Sequence, residues 1–253
     1  MTRKLILVGG IHTDVEGESR LVRAIEQFRP SDLSVEALED SVQFSQRTID
    51  GTVGLIRDYR GLALSDDNLE RFAKYLGTYG SELKVAEAMK RKWTPKVYLV
   101  DTFVPKTKLD PSDISSYLQP EEKPDIIREM DEWRHVLFMH LTQGIKLSNS
   151  IAALLSTYLA LAKYDDSTRA RIDEYRYSSS SRIRDKNMKT ETEMRDTHME
   201  RRIRELWYKT GRTRGAGDFM HFGGVLHIFG EYHNLFERLR DLNPVRYKLN
   251  EFG

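Results

Sequence analysis

The sequence predicts an α/β fold: a central, mostly parallel sheet built from two related β-α-β halves with Gly-x-x-His turns, flanked by helices and carrying a helical insertion. Short apolar runs without polar alternation, typical of strands covered on both faces, alternate with amphipathic helical patterns. In addition, the succession of two glycines, a histidine, a helix, a proline and a strand occurs near both ends of the 253-residue chain. Units of this kind form parallel sheets with a crossover helix, which gives the predicted architecture.

The first half of the chain predicts a strand, a helix and a second strand. Residues 4–8 form the first apolar run, and the two glycines after it are expected to end that strand. A helix is expected before Pro30, because four apolar residues recur at helical spacing: Leu21, Val22, Ile25 and Phe28. The second strand is expected over residues 32–38. Ligands of such units usually bind at the carboxyl ends of the strands, where His12 and Glu36 stand.

The middle of the chain predicts helices, a third strand and an insertion. We expect helices over residues 65–93 and a third strand over residues 96–102, which places Asp101 at a strand end. We interpret the chain as one α/β domain over residues 1–253, with a helical insertion and a mobile loop over residues 105–185.

The end of the chain repeats its beginning. Residues 223–224 are again glycines, and they precede His227, a helix and a strand. The spacing from His227 to Pro244 is 17 residues, and the spacing from His12 to Pro30 is 18 residues. Duplicated halves of this kind are expected to bring their two Gly-Gly-His turns together in one sheet.

Composition excludes several classes of partner and site. The chain has 40 Lys and Arg against 39 Asp and Glu, a formal net charge of +1, so no overall field attracts nucleic acid or an anionic membrane. It has no cysteine, which excludes disulfides, thiolate nucleophiles and cysteine metal sites. Residues 182–204 form a modest basic stretch, but the aromatic residues typical of single-strand binding do not accompany it. We therefore expect no nucleic-acid partner.

Two segments bear on the location of the protein. The N-terminus has two cations before only five apolar residues, too few for the apolar part of a secretory signal. The longest apolar stretch, residues 151–162, is interrupted by Ser156 and Thr157 and is shorter than the roughly 20 residues of a membrane-spanning helix. We expect a buried helix there, no membrane span and a cytoplasmic protein.

Histidines and carboxylates near the strand ends form the candidate site. His12 and His227, with a carboxylate from Glu36, Glu82 or Asp101, are a nitrogen and oxygen set suited to zinc, manganese or cobalt. A purely structural role for the two histidines weighs about equally. Glu36 interrupts an apolar strand, where a carboxylate is costly unless it is paired or binds a metal.

The other carboxylates and the polar helix have simpler explanations as well. Asp101 is compatible with a structural turn aspartate, and Glu82 with the first turn of a helix, where its charge meets the helix dipole. The helix expected over residues 190–208 carries the densest polar cluster in the chain, and a solvated charged face would explain it equally: Glu193, Arg195, Asp196, His198 and Met199. The remaining histidines are expected to be structural or at the surface: His135, His140, His221 and His233.

The motifs, taken in order, resemble the TraB/PrgY pheromone-shutdown family, in the wider group that holds the Tiki metalloproteases and the ChaN and erythromycin-esterase-like proteins. The matching stretches are GGIH at 9–12, VEAL at 35–38, GSELKVAEAM at 80–89, VYLVDT at 97–102, EMRDTHM at 193–199 and GGVLH at 223–227. The resemblance implies two related halves whose Gly-x-x-His turns face one cleft together with the Glu and Arg motifs. In the Tiki branch such a site is associated with metal-dependent peptide cleavage.

The chain also departs from the family pattern. The cysteine and arginine that often follow the Val-Glu strand are missing from ALEDSVQF, and Thr102 stands where arginine is common. The membrane helices that follow this domain in many bacterial members are not present, from which we expect a soluble protein.

The leading hypothesis is a metal-dependent hydrolase of a peptide or related acyl bond. His12, His227 and Asp101 are the expected ligands of a divalent cation, manganese, cobalt or zinc, which lowers the pKa of a bound water towards about 7. Glu36 or Glu82 is the expected base. Arg195 is the expected oxyanion stabiliser, and it belongs to the same helix motif as Glu193. The alternative hypothesis is a binding or regulatory protein that captures a peptide or small ligand in the same cleft without turnover. A homodimer is one of the assemblies left open.

Overall fold

The α/β architecture is present in the computed structural model, which describes residues 3–12, 14–37, 46–58, 65–78, 80–93, 95–101, 155, 158–179, 186–212 and 217–253. Five strands form one sheet: β1 (Leu5–Gly10), β2 (Asp32–Val35), β3 (Lys96–Leu99), β4 (Phe219–Gly224) and β5 (Val245–Lys248). Their order is β3-β2-β4-β1-β5, and each neighbouring pair is parallel. The predicted fold class is therefore confirmed.

Within the described residues, the helices with defined bounds are α1 (Gly17–Phe28), α2 (Gln46–Asp58), α3 (Asp66–Thr78), α4 (Ser81–Trp93), α5 (Asp166–Ser179), α6 (Lys186–Gly211), α7 (Val225–Phe229) and α8 (Leu235–Arg238). Two short 3₁₀ helices, Arg240–Leu242 and Leu249–Phe252, flank β5. α1 ends before Pro30 as expected, α3 and α4 lie within the residues 65–93 expected to be helical, and α6 is longer at both ends than the helix expected over residues 190–208.

The two β-α-β halves interleave in the sheet. β1 and β2 belong to the first half, yet β4 of the second half lies between them. Likewise, β4 and β5 belong to the second half, and β1 lies between them. The first strands of the two halves are thus adjacent at the centre, and Gly9 pairs with Gly223 and Gly10 with Gly224. This pairing brings the two glycine turns together as expected.

The sheet is covered on both faces, which explains its continuous apolar strands. One face packs on α1, α4 and the C-terminal 3₁₀ helix through a core that contains Ile6 and Val8 of β1. The other face packs on α6, α7 and α8 through a core that contains Leu5 and Leu7. Successive residues of β1 therefore enter opposite cores, so the strand has no polar face.

The expected end of β1 before its glycines was wrong, because the strand continues through Gly9 and Gly10. A methyl group at Gly10 would lie 2.5 Å from the ring of Phe222, and one at Gly9 would lie 3.1 Å from the backbone of Val225. The glycines keep their place in the ladder while they let a phenyl ring and a helix approach closely.

The chain divides into two compact units. The first contains the sheet and consists of Met1–Val42, Gly80–Lys106 and Asp173–Gly253, and the second consists of Gln43–Tyr79 and Thr107–Ile172. Within the second unit, Arg169 is fully buried and its guanidinium lies 5.1 Å from the ring centroid of Tyr75.

Several expectations concern residues outside the described ranges. The insertion and loop expected over residues 105–185, and the assignment of residues 1–253 to one domain, therefore stay predictions, although residues 158–162 are buried and helical, as expected of the longest apolar stretch. His135 and His140 also lie outside the described residues. No helix in the described part of the chain is long and apolar enough to cross a membrane.

Candidate functional site

Glu36 lies at the centre of a polar cluster at the carboxyl ends of the strands. It follows β2 directly, and its backbone N–H donates to Phe222 O at 2.9 Å, which extends the pairing with β4 by one residue. Alternation along β2 puts Glu36 on the same face of the sheet as Ser34, the face covered by α6. The strand predicted over residues 32–38 ends at Val35, so Glu36 is the first side chain beyond it.

Both oxygens of Glu36 are engaged, and the side chain is only 3% exposed. Oε1 accepts from Arg195 Nη2 at 2.5 Å and lies 3.3 Å from His227 Nε2 and 3.9 Å from His12 Nε2. Oε2 accepts from the backbone N–H of Gly224 at 2.5 Å. The two motif histidines therefore converge on one carboxylate oxygen, as the duplicated sequence predicts.

A second carboxylate contacts Nδ1 of each of these histidines, on the side of the ring opposite Glu36. His12 Nδ1 lies 2.8 Å from Glu82 Oε1, and His227 Nδ1 lies 2.5 Å from Asp196 Oδ1. A carboxylate only accepts, so the assigned proton sits on Nδ1 and Nε2 is directed towards Glu36. This carboxylate–histidine arrangement is the one that orients imidazoles for metal binding.

Arg195 links Glu36 to Asp101. Its Nε and Nη2 donate to the two oxygens of Asp101 at 3.1 and 2.7 Å, a bidentate geometry that fixes the guanidinium plane. Nη1 has no hydrogen-bond partner among the described residues, and 28% of the side chain is exposed. The structure thus brings Asp101 into the cluster through Arg195.

The position of α6 follows from its apolar spacing. Met199, Ile203 and Leu206 recur at intervals of four and three residues and pack on the sheet. The same stripe, continued towards the helix N-terminus, reaches Asp196, which is fully buried beside His227. His198 lies off this stripe.

The structure does not bring Glu193 into the cluster. Its carboxylate lies 3.9 Å from Lys189 on the same helix, and 36% of its side chain is exposed. A role for Glu193 in the site stays a prediction. His233 is exposed, in agreement with the surface position expected for it, whereas His221 is buried.

The carboxylates raise the pKa of both histidines. Burial alone lowers the pKa of His227, but the charge of Glu36 and the hydrogen bond to Asp196 outweigh it and raise the value to about 9. Desolvation likewise lowers the pKa of His12, whose bond to Glu82 raises it to about 9. His12 keeps 44% of its side chain exposed, so solvent screens its ion pairs more than those of His227.

The cations in turn stabilise the charged form of the acids. Burial raises the pKa of Glu36, yet the charges of His227 and Arg195 hold it well below its ordinary value. Burial also opposes the charge of Arg195, whose pKa is nevertheless raised by Glu36 and Asp101. Without a bound cation, the cluster is therefore a network of buried ion pairs.

Stability of the metal-free protein is expected to fall as the pH rises from about 7 to 9. The pKa of His227 is about 9 in the fold and about 6.5 in the unfolded chain, so its contribution is complete below about 6.5 and lost as the pH rises through about 9. Urea unfolding in the presence of a chelator measures this slope. His227→Asn removes this contribution, and an equally steep slope in that variant would contradict the assignment.

The loop that carries His12 is held by a buried network. Tyr177 OH accepts from Ile11 N–H at 3.2 Å and donates to Asp14 Oδ2 at 2.9 Å. Arg20 Nη1 donates to the same Asp14 oxygen at 2.9 Å. Because His12 lies between Ile11 and Asp14, this network sets the position of its imidazole.

Tyr177→Phe is expected to destabilise the protein by about 1–3 kcal/mol, because the Ile11 N–H and Asp14 lose a buried partner. Denaturant unfolding measures the change. The matched control is Tyr175→Phe on the same helix, where 40% of the residue is exposed and a change within about 0.5 kcal/mol is expected. Equal effects of the two substitutions would contradict a specific role for the Tyr177 hydroxyl.

Two glycines let polar side chains approach the backbone closely beside Glu36. A methyl group at Gly224 would lie 3.4 Å from both His12 Nε2 and Glu36 Oε2, and 3.3 Å from His227 Cδ2. His12 Nε2, Glu36 Oε2 and the imidazole of His227 thus surround the position beside Gly224, which we call the cradle. Within the described ranges, however, no three His, Asp or Glu side chains are already gathered as a metal-binding group.

Sequence reasoning missed the contribution of Asp196 to the site. The signal was the apolar stripe of α6, which places Asp196 three residues before Met199 and therefore on the buried face. The position of His221 next to the cluster carried no comparable signal, because it depends on the register between β4 and β2.

Comparisons of the chain with protein-family models, with curated proteins and with solved structures gave no match.

Proposed function

We propose that this protein is a metal-dependent hydrolase of a peptide or related acyl bond, as its resemblance to the TraB/PrgY family implies. The observation that carries the proposal is the convergence of His12 and His227 on Oε1 of Glu36, with a carboxylate behind each imidazole. Six motifs that are far apart in the sequence contribute to this one cluster, which supports the resemblance.

The donor set fits a divalent cation with nitrogen and oxygen ligands, such as zinc, cobalt or manganese. Donor atoms around a tetrahedral ion are about 3.3 Å apart when the metal bonds are about 2.0–2.1 Å long. His227 Nε2 lies 3.3 Å from Glu36 Oε1, which matches, and His12 Nε2 lies 3.9 Å from it. His12 therefore has to move inward by a fraction of an ångström, and it is the most exposed member of the set.

In this proposal Glu36, rather than Asp101, is the carboxylate ligand, and Asp101 positions Arg195. A bound divalent cation supplies a Lewis acid and an activated water. His12 and His227 would then bind as neutral imidazoles, and the two charges of the cation would stand in for their two protons.

The chain's own residues supply the rest of the chemistry. Arg195 Nη1, the guanidinium nitrogen with no partner among the described residues, donates to the carbonyl oxygen as negative charge develops there. Because the pKa of Glu36 is held low, Glu82 is the carboxylate that would take up a proton from an activated water. That proton is then given to the leaving amine or alcohol as the acyl bond breaks.

The test begins with protein purified without chelating resin, whose metal content is measured. A peptide library is then incubated with the chelated protein, with and without added manganese, cobalt or zinc. We expect cleavage that requires one of the three metals and is lost in His12→Asn, since asparagine keeps a donor for Glu82 but has no equivalent of Nε2. The proposal would be refuted if the parent protein contained no bound metal and also cleaved no peptide.

A second candidate function is capture of a peptide or small ligand without turnover. It is favoured by the absence, within the described part of the chain, of a ready group of three metal ligands and by the fully paired state of Glu36. The same library distinguishes it: a binding protein is thermally stabilised by library members in the presence of chelator and releases no product.

A further inference from the structure

His221 is a buried imidazole beside the cluster that none of the roles above uses. It lies on β4, is 0% exposed, and its Nδ1 is 3.0 Å from Ser34 Oγ. Its Nε2 has no hydrogen-bond partner within the residues that the structure describes. Buried polar atoms are almost always paired, so an unpaired imidazole nitrogen calls for an explanation.

The unpaired nitrogen borders the space next to Glu36. A methyl group at Gly223 would lie 2.9 Å from His221 Nε2 and equally 2.9 Å from Glu36 Oε2. The neighbouring Gly224 leaves the cradle between His12 and the same oxygen of Glu36. Two successive glycines thus border the same carboxylate oxygen, Glu36 Oε2, with His221 on one side and His12 on the other.

Three imidazoles around Glu36 share one arrangement. In each, Nδ1 is held by an oxygen, that of Glu82 for His12, of Asp196 for His227 and of Ser34 for His221. The Ser34 hydroxyl can accept from Nδ1–H, and in that tautomer the lone pair of His221 lies on Nε2. That tautomer is the one in which an imidazole binds a metal through Nε2.

We propose that His221 is a third imidazole ligand of the cation site and binds through Nε2 the divalent ion that His12 and His227 hold. This inference rests on the proposed function and narrows it. Three imidazoles with one carboxylate select a transition-metal ion of the zinc or cobalt type over magnesium or calcium, which prefer oxygen ligands.

The experiment counts imidazoles on bound zinc. Zinc K-edge X-ray absorption of the zinc-loaded protein is expected to give three imidazoles per zinc in the parent chain and two in His221→Asn, which keeps a donor for Ser34. Zinc affinity, measured by competition with a chromophoric chelator, is expected to fall more than about 100-fold in that variant. Loss of a residue that only hydrogen-bonds a metal ligand usually lowers the affinity by about 10- to 100-fold. Magnesium is expected not to displace the zinc.

Two further variants separate ligation from folding. Ser34→Ala removes only the partner of Nδ1, and we expect about 10- to 100-fold weaker zinc binding with three imidazoles retained. Gly223→Ala keeps every ligand but fills the space between His221 Nε2 and Glu36 Oε2, and we expect two imidazoles per zinc. Circular dichroism of the metal-free variants shows whether each is folded.

The outcomes distinguish this inference from the function on which it rests. Zinc bound through two imidazoles in the parent chain, or unchanged affinity in a folded His221→Asn, overturns the third ligand alone. Failure of the parent chain to bind zinc or cobalt overturns the cation site as a whole.

Discussion

Glu36→Gln is expected to lower the free energy of unfolding by about 3–5 kcal/mol at pH 6, the cost of removing one partner from a buried ion-pair network. The carboxylate is 3% exposed and faces Arg195, His227 and His12, which are all cationic at that pH. Urea unfolding of the chelated protein measures the change. The loss is expected to shrink above pH 9, where the two histidines are neutral in the parent protein.

The matched control for this substitution is Glu193→Gln on α6. Glu193 is 36% exposed and lies 3.9 Å from Lys189, so we expect a change within about 0.5 kcal/mol. A Glu36→Gln variant as stable as the control at pH 6 would show that Glu36 is not the centre of the cluster.

Gly224→Ala is expected to weaken zinc or manganese binding by roughly 10- to 100-fold while the protein stays folded. The backbone at Gly224, with φ of −59° and ψ of 140°, accepts alanine without strain. Its methyl group would occupy the cradle, 3.4 Å from His12 Nε2 and Glu36 Oε2. When an ion binds there, the added methyl group would cost about 1–3 kcal/mol in overpacking. This cost corresponds to the expected loss of metal affinity, roughly 10- to 100-fold.

Gly51→Ala on α2 is the control for the added methyl group. A methyl group there would meet no atom of the described residues within 4 Å, and alanine is favoured over glycine in a helix by up to about 1 kcal/mol. Titration calorimetry of both variants measures affinity. Parent-like affinity in Gly224→Ala would mean that the cation does not bind in the cradle.

The sequence predicts the positions of those site residues that lie at the ends of strands. The apolar runs locate β1, β2 and β3, and parallel pairing then brings His12, Glu36 and Asp101 to the same edge. The repeated glycine pattern further predicts that His227 joins them, which the pairing of β1 with β4 confirms.

The sequence does not predict the register between the strands or which face of each helix packs on the sheet. The strands pair Gly10 with Gly224, so the motifs Gly9-x-x-His12 and Gly224-x-x-His227 are offset by one residue. His12 therefore lies in a turn and His227 in the short helix α7, although the two motifs look equivalent.

The neighbours that complete the cluster depend on tertiary packing in the same way. Asp196 faces His227 only because the apolar stripe of α6 rotates it towards the sheet. His221 reaches the space beside Glu36 because β2 and β4 are paired in a register that sets Ser34 opposite His221. Neither relation can be derived from spacing within a single segment.

The central claim, that His12 and His227 hold one divalent cation together, is tested most directly by titrating chelated protein with zinc and with manganese. We expect one equivalent of at least one of these metals per chain in the parent protein. In the double variant His12→Asn, His227→Asn, which keeps donors for Glu82 and Asp196, we expect no stoichiometric binding. One tightly bound equivalent in the folded double variant would contradict the claim.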